Sequence, residues 1–210
     1  MKLIRWGTFL VLLVTYLFTI ALYPTLPDVI ASHWDASGMT NGYMPKFWGL
    51  IIIPLIMTAC VGLFTLLPRI DPLRSNYAKF RNYYEGFVFI FAIFMLAIQL
   101  QVILWNSGHP VSPNLIIPFF CGILFIAVGS LIEHAEPNWF AGIRTPWTLS
   151  DPLVWKKTNE RGGKLFKLAG VISCCGVLVG AYAIWFVIAP ILIVTVYTVV
   201  YSYAISRDNL

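Results

Sequence analysis

Charge is what this sequence has least of. Only 23 of its 210 residues are Asp, Glu, Lys or Arg, 14 basic and 9 acidic. Four stretches carry none at all: 6–27, 47–68, 86–132 and 168–206, together 130 residues. A soluble domain of this length could not solvate its outside with the charges that remain. The shortage therefore excludes a soluble globular protein, a disordered chain and a secreted disulfide scaffold. Cysteine is scarce as well. Cys60, Cys121, Cys174 and Cys175 all lie inside charge-free runs, and none has Cys-x-x-Cys spacing. They read as buried free thiols, and neither a metal site nor a redox cofactor is expected. His-Glu-x-x-His and Gly-x-Ser-x-Gly are both missing, so no familiar hydrolase constellation is present.

The apolar runs are what the sequence does have. A bilayer core about 30 Å thick needs ~20 residues of helix to cross it. The first two runs are each one span long, giving spans over 3–23 and 46–67, with Pro45 suited to the first turn of the second. The 47-residue run is broken by the turn-forming cluster from Asn106 to Asn114, which separates spans over 86–105 and 115–132. The 39-residue run has no polar break but contains Pro190. As one helix it would reach roughly 60 Å, about twice the hydrocarbon thickness. It is divided there into spans over 165–187 and 190–206. Lys2 and Arg5 ahead of the first run suggest a secretion signal. That run is long for one, however, and it ends in Leu22-Tyr23-Pro24 rather than small residues, which argues against cleavage.

Six spans put both termini on one side. Lys2, Arg5, Arg69, Arg74, Lys79, Arg81, Arg144, Lys156, Lys157, Arg161, Lys164, Lys167 and Arg207 then share that side, with only Lys46 opposite. The bias of basic residues makes the rich side cytoplasmic. The expectation is an all-α polytopic membrane bundle of six transmembrane helices, both termini cytoplasmic. The net charge of +5 belongs to the membrane edge. Little polar surface is left for a nucleic-acid face, so no direct nucleic-acid contact is expected.

Three polar segments remain to carry chemistry. In the outer loop, 24–46, Asp28 after Pro27 can cap a helical turn, and Gly38 and Asn41-Gly42 signal a small hairpin. His33, Trp34 and Asp35 stand together. They read as a metal ligand with its orienting partner, as a pH-sensitive pair, or as packing of a cap against the membrane interface. Packing is preferred, because the outer face offers only Asp28, His33, Asp35 and His109 as ligands. The inner segment 69–85 pairs Asp71 with Pro72 as a helix start. It then repeats Tyr77, Phe80, Tyr84 and Phe87 at helical spacing beside Lys79 and Arg81. This predicts a basic, aromatic helix on the inner leaflet that runs into the third span. The longest polar stretch, 133–167, holds the run from Asn138 to Thr148, which is too irregular for a helix. Asp151-Pro152 then starts a short helix to Arg161 that stops at Gly162-Gly163. Arg144 in that stretch could bind lipid phosphate, cap helix carbonyls or contact a ligand.

Two of these segments together carry a resemblance. The outer loop, with Leu26-Pro27-Asp28, Ile30, His33-Trp34, Gly38, Asn41-Gly42-Tyr43 and Lys46, resembles a domain of unknown function. The inner residues Pro68, Ile70-Asp71-Pro72 and Asn76 match the same pattern. The third segment resembles the signature of the SdpI immunity family. It has Asn138-Trp139-Phe140, the run GIRTPWTLS from Gly142 to Ser150, Val154-Trp155, Lys157-Thr158, Arg161 and Gly162-Gly163. The family pattern has a His after the Lys-Thr pair, where this chain has Asn159-Glu160.

The resemblance implies a multi-pass prokaryotic membrane protein that protects its cell from a secreted peptide toxin. It further implies a receptor role, in which a winged-helix autorepressor is held at the inner face. On that reading Asp28, His33, Trp34, Gly38, Gly42 and Lys46 form the toxin-facing outer loop. Asn138, Gly142, Arg144, Thr145, Pro146, Trp147, Thr148, Trp155, Lys157 and Thr158 form the cytoplasmic partner site. The chain divides into an N-terminal two-span module, 1–85, and a four-span module, 86–210. No catalytic, cofactor-binding or metal-binding residue is assigned; the partners are the lipid bilayer, the toxin and the repressor. Two rival readings stand beside this one. A transporter would use Gln99, Gln101, Pro54 and Pro118 along a polar path. An intramembrane enzyme would need Glu133 and His134 in a common pocket, since the charge-free runs supply no other ionisable group.

Overall fold

In the computed structural model, which describes residues 2–208, long helices account for most of the chain. Helix α1 spans Lys2–Leu22. A hairpin of β1, Val29–Trp34, and β2, Thr40–Pro45, follows it, and then α2, Lys46–Ile70. Next come α3, Tyr77–Asn106, α4, Pro113–His134, the short α5, Pro146–Ser150, then α6, Pro152–Cys175, and α7, Ala183–Asp208. Five segments are long and apolar enough to cross a membrane: Lys2–Thr25, Lys46–Ile70, Arg74–Asn106, Pro113–His134 and Gly180–Arg207. The protein is a multi-pass membrane protein.

The helices pack through small and hydroxyl-bearing faces, as expected where lipid is no worse a solvent than another helix. On α1 the buried positions are Thr8, Val11, Thr15 and Thr19, one stripe at helical spacing. Each of these threonines donates its hydroxyl to the carbonyl four residues back, at 2.8–3.1 Å, so none carries an unmet donor into the apolar interior. Leu10, Leu13 and Leu17 point outward toward lipid. The hydroxyl of Thr19 accepts a bond from Gln99 on α3, whose amide also donates to Leu50 on α2, so one buried Gln links three helices.

The tightest pairing is between α4 and α6. Glycines repeat at a spacing of seven on both, Gly122 and Gly129 against Gly163 and Gly170. A Cβ on Gly129 would come within 2.6 Å of the Gly163 carbonyl, and a Cβ on Gly163 within 2.6 Å of the Gly129 carbonyl. Gly122 and Gly170 meet in the same reciprocal way at 2.5 Å. Real Cβ atoms do not approach backbone that closely, so the two backbones touch along a seam only glycine permits.

That seam explains two departures from the sequence reading. Gly162-Gly163 does not stop a helix at Arg161: α6 continues to Cys175, because both glycines are packing surfaces. Gly163 faces α4 and Gly162 faces Ile143 and Thr198 of α7. The polar stretch 133–167 is therefore irregular only as far as Thr145 and helical beyond it. The break in the 39-residue run also lies elsewhere. Pro190 sits inside α7, where a transmembrane helix tolerates it. The chain turns instead through 3-10 turns at Gly176–Leu178 and Gly180–Tyr182, with Gly180 at φ +56°. The fifth long segment is thus α6 at 152–175 rather than 165–187, and the sixth is α7. Helix α6 falls outside the apolar set because its first two-thirds carry Lys156, Lys157, Glu160, Arg161, Lys164 and Lys167. It still runs antiparallel to α4 from Glu133 to Pro118.

The inner segment 69–85 also differs in detail. Asp71 ends α2 and accepts the Leu73 amide at 2.7 Å, closing a turn rather than opening a helix. A 3-10 turn at Arg74–Asn76 leads into α3, which is kinked at Phe80. Tyr77, Phe80 and Tyr84 are buried against Leu131, Ala135 and Trp155. The aromatic stripe therefore faces the protein core, and not the leaflet surface.

Candidate functional site

The outer hairpin forms where the turn residues predict it, with Gly38 at φ +83°. Asp28 caps no helix. It precedes β1, stands fully exposed and pairs with Lys46 at 3.2 Å. Lys46 also donates to the Leu26 carbonyl at 2.8 Å and lies over the Tyr23 ring, so it fastens the two ends of the loop. Asp35 accepts bonds from the Ser37 hydroxyl and from the Ser37 and Met39 amides. The Ser37 hydroxyl and then the Met39 amide hold its carboxyl below the ordinary aspartate value. His33 Nδ1 lies 2.5 Å from Asn41 Oδ1, not beside Asp35, so the imidazole–carboxylate pair does not form. Among the described residues no three His, Cys, Asp or Glu side chains group as a metal site. Trp34 packs edge-on against Trp105. Gly42 leaves room for His33, and Gly38 for Ser112 and Asn114.

Two asparagines dock this hairpin, and sequence reasoning gave neither a role. Asn106, at the end of α3, accepts the Ala31 amide at 2.7 Å and donates to the Ala31 carbonyl at 3.0 Å, imitating a neighbouring strand. Asn114 on α4 donates to the Ala36 carbonyl. Their signal in the sequence was position: both sit where a charge-free run meets a turn.

At the opposite end the signature residues form one knot. Asn138 is 1% exposed. Its Oδ1 accepts the amides of Phe140 and Ala141 and the Tyr77 hydroxyl, and its Nδ2 donates to the carbonyls of Glu136 and Ala141. Asp71 accepts the Trp139 amide at 2.8 Å, and Asn76 donates to the Pro137 carbonyl at 2.7 Å. The short segment after α2 is therefore bonded directly to the signature loop. Trp155 donates its indole N–H to the Ala135 carbonyl, closing the end of α4. Gly142, at φ +122°, passes against Asn159 and Trp155 with no space for a side chain. Asn159 accepts the Ile143 amide at 2.7 Å and donates to Trp155. The residue that departs from the family pattern is thus a buried strut. Thr145 and Thr148 make a reciprocal capping box that starts α5, and Thr145 reaches Ser202 on α7 at 3.0 Å. Trp147 packs on Tyr203.

Of the ten signature residues singled out from sequence, Asn138, Thr145, Thr148, Trp155 and Thr158 are buried, and Gly142 and Trp147 are half-buried. Arg144, Pro146 and Lys157 are exposed. Arg144 makes no hydrogen bond or ion pair among the described residues. It lines a cleft of about 260 Å³ with Leu73, Trp139, Leu149 and Trp155. Of its lining, Leu73, Trp139 and Leu149 are exposed apolar side chains. Glu133 and His134 do not converge. Glu133 pairs with Lys167, whereas His134 stacks on Tyr83 and bonds the Ser130 carbonyl.

Comparison with known proteins agrees with both ends of the molecule. Residues 134–202 match the SdpI/YfhL protein family, and residues 10–58 match a domain of unknown function, DUF1648. Over 195 residues, covering 92% of this chain and 91% of the relative, the chain is 29% identical to a Bacillus subtilis (strain 168) protein named Immunity protein SdpI. No solved structure matches.

Proposed function

We propose that the chain is a member of the SdpI family and a membrane immunity protein, protecting its cell against a secreted peptide toxin. The observation that carries this is the likeness to an immunity protein over 92% of the chain, outer hairpin and inner knot included. On this reading the charge bias orients the inner knot and both termini to the cytoplasm. The outer hairpin meets the toxin. Val29, Met39 and Tyr43 are exposed on it beside Asp28 and His33, an amphipathic face suited to a peptide that itself partitions into membranes. The inner face meets a regulator. Arg144, which lines the aromatic cleft, and the exposed Lys157 supply charge and hydrogen-bond donors for a repressor held at the membrane. The role is binding rather than catalysis.

The test is expression of the full chain in a toxin-sensitive cell. Survival at a toxin dose that kills the parent strain is expected, with the protein recovered from the membrane fraction. Unchanged killing by a toxin of the matching type, with the protein inserted, overturns the protective role. The receptor role stands or falls separately: a fluorescent repressor should move to the membrane when toxin is added, and Arg144→Ala should prevent it.

A further inference from the structure

A cavity lies between the inner ends of α1, α2 and α3, beside the signature knot, which shares Tyr77 with its lining. It measures about 560 Å³, within the range of about 300–1,000 Å³ that small-molecule pockets occupy. Four arginines line it, Arg5, Arg69, Arg74 and Arg81, against a single carboxylate, Glu85. The side chain of Glu85 is only 7% exposed and holds two of them: its Oε1 accepts Arg5 at 2.7 Å and Arg81 at 2.8 Å. Its other oxygen, Oε2, is buried with no hydrogen-bond partner. The side chains of Arg69 and Arg74 make no hydrogen bond or ion pair among the described residues. The cavity thus has two guanidinium groups in fixed positions, two more without a protein partner, and one orphaned acceptor. Part of its remaining wall is apolar, from Phe9, Val61, Phe64 and Val88, beside the hydroxyl-bearing Thr8, Thr65, Tyr77 and Tyr84, and Phe9 is half exposed on the lipid side of α1.

We propose that this cavity binds the headgroup of an anionic phospholipid. A guanidinium fork matches phosphate oxygens in pairs, and an anionic leaflet attracts basic residues at its surface. Arg69 and Arg74 take the phosphodiester. Glu85 Oε2 takes a hydroxyl of the headgroup, as a glycerol headgroup would offer, and its ion pairs keep Arg5 and Arg81 aimed at the cavity. The apolar wall follows an acyl chain out past Phe9. A free anion would use the arginines but not the apolar wall, which is why a lipid is favoured. General attraction of a basic face to an anionic leaflet would not need a cavity. The site is independent of the immunity reading, since no toxin or repressor enters the argument.

The experiment uses the full chain in neutral detergent micelles, followed by thermal melting. Dihexanoyl-phosphatidylglycerol, dihexanoyl-phosphatidylcholine and inorganic phosphate are titrated at constant ionic strength. Phosphatidylglycerol is expected to raise the melting temperature with half-saturation at least tenfold below phosphatidylcholine, and phosphate to leave it unchanged. Arg69→Gln with Arg74→Gln should abolish the shift without altering melting in the absence of lipid. Lys156→Gln with Lys164→Gln, the same loss of charge outside the cavity, should keep it. Equal response to both lipids overturns the proposal, as does equal loss in both double variants. A shift reproduced by inorganic phosphate alone overturns the lipid assignment. If the arginine variant does not fold, the comparison of lipids on the unaltered protein still decides.

Discussion

The two polar ends of this molecule carry motifs of similar density but use them differently. At the outer end the motif residues Asp28, His33 and Gly42 sit on a two-stranded hairpin, and the contacts that dock it come mainly from outside the motif, from Asn106 and Asn114. At the inner end most signature residues are themselves the docking contacts. Asn138, Thr145, Thr148 and Trp155 are buried, and their bonds hold backbone to backbone. The difference follows from the chain. A hairpin satisfies its own ladder and needs only anchoring. The irregular stretch from Ala135 to Thr145 has no ladder, so side chains must meet its amides and carbonyls. A dense motif is therefore not the same thing as a contact surface. At the inner end the exposed remainder, Arg144, Pro146 and Lys157, is the part free to touch a partner.

This contrast can be broken or sharpened by substitution. The largest effect is expected outside both motifs, in the glycine seam. Gly163→Leu forces side-chain atoms into the α4 backbone, so the folded protein should be lost or destabilised by about 3 kcal/mol or more, read as melting in micelles. Next, Asn138→Ala leaves two amides and a tyrosine hydroxyl without their acceptor. It should cost about 2–3 kcal/mol and reduce every function of the inner face together. Asn159→Ala should act in the same direction but less, by about 1–2 kcal/mol, since one amide loses its acceptor. Arg144→Ala should leave melting within about 0.5 kcal/mol of the parent yet impair the inner-face response more than His33→Ala does. Equal tolerance of both substitutions would remove Arg144 from the partner site.

The smallest effect concerns pH. Asp35 is fully exposed and its carboxyl is held below the ordinary value of 3.8. A depressed carboxylate contributes stability above its unfolded value and loses it as pH falls through the folded one. Hydrogen exchange at the Ser37 and Met39 amides should therefore keep its protection from pH 7 to pH 5, once corrected for the intrinsic rate. Protection should be lost only below about 3.8. Loss well above that value would remove Asp35 as the clasp of these amides.

Much of the architecture was legible because it follows from one-dimensional facts. The missing charges fix the membrane, and turn residues at Gly38 and Asn41-Gly42 fix the outer hairpin. Local chemistry misled where a residue has two uses. Gly162-Gly163 reads as a helix stop, and Pro190 as a helix boundary, because in water both are. In this fold the glycines face neighbouring helices on either side, and the proline lies in a helix whose freed carbonyl is tolerated. Gly176 and Gly180, the only glycines of the 39-residue run besides Gly170, were the better signal for the turn. Asp71 and Asn159 escaped assignment as struts because their partners, Trp139 and Ile143, are 68 and 16 positions away.

The sequence by itself determined the solvent of this protein and its all-α, multi-pass character. These are sums over residues and need no knowledge of partners. Only the tertiary structure decided which motif residues are buried struts and which are exposed. It alone brought Arg5, from the first helix, to Arg69, Arg74, Arg81 and Glu85 around one cavity. Burial and convergence depend on which surfaces meet. Here that is settled by how closely two glycine-lined backbones can approach, and by which buried amide finds an acceptor.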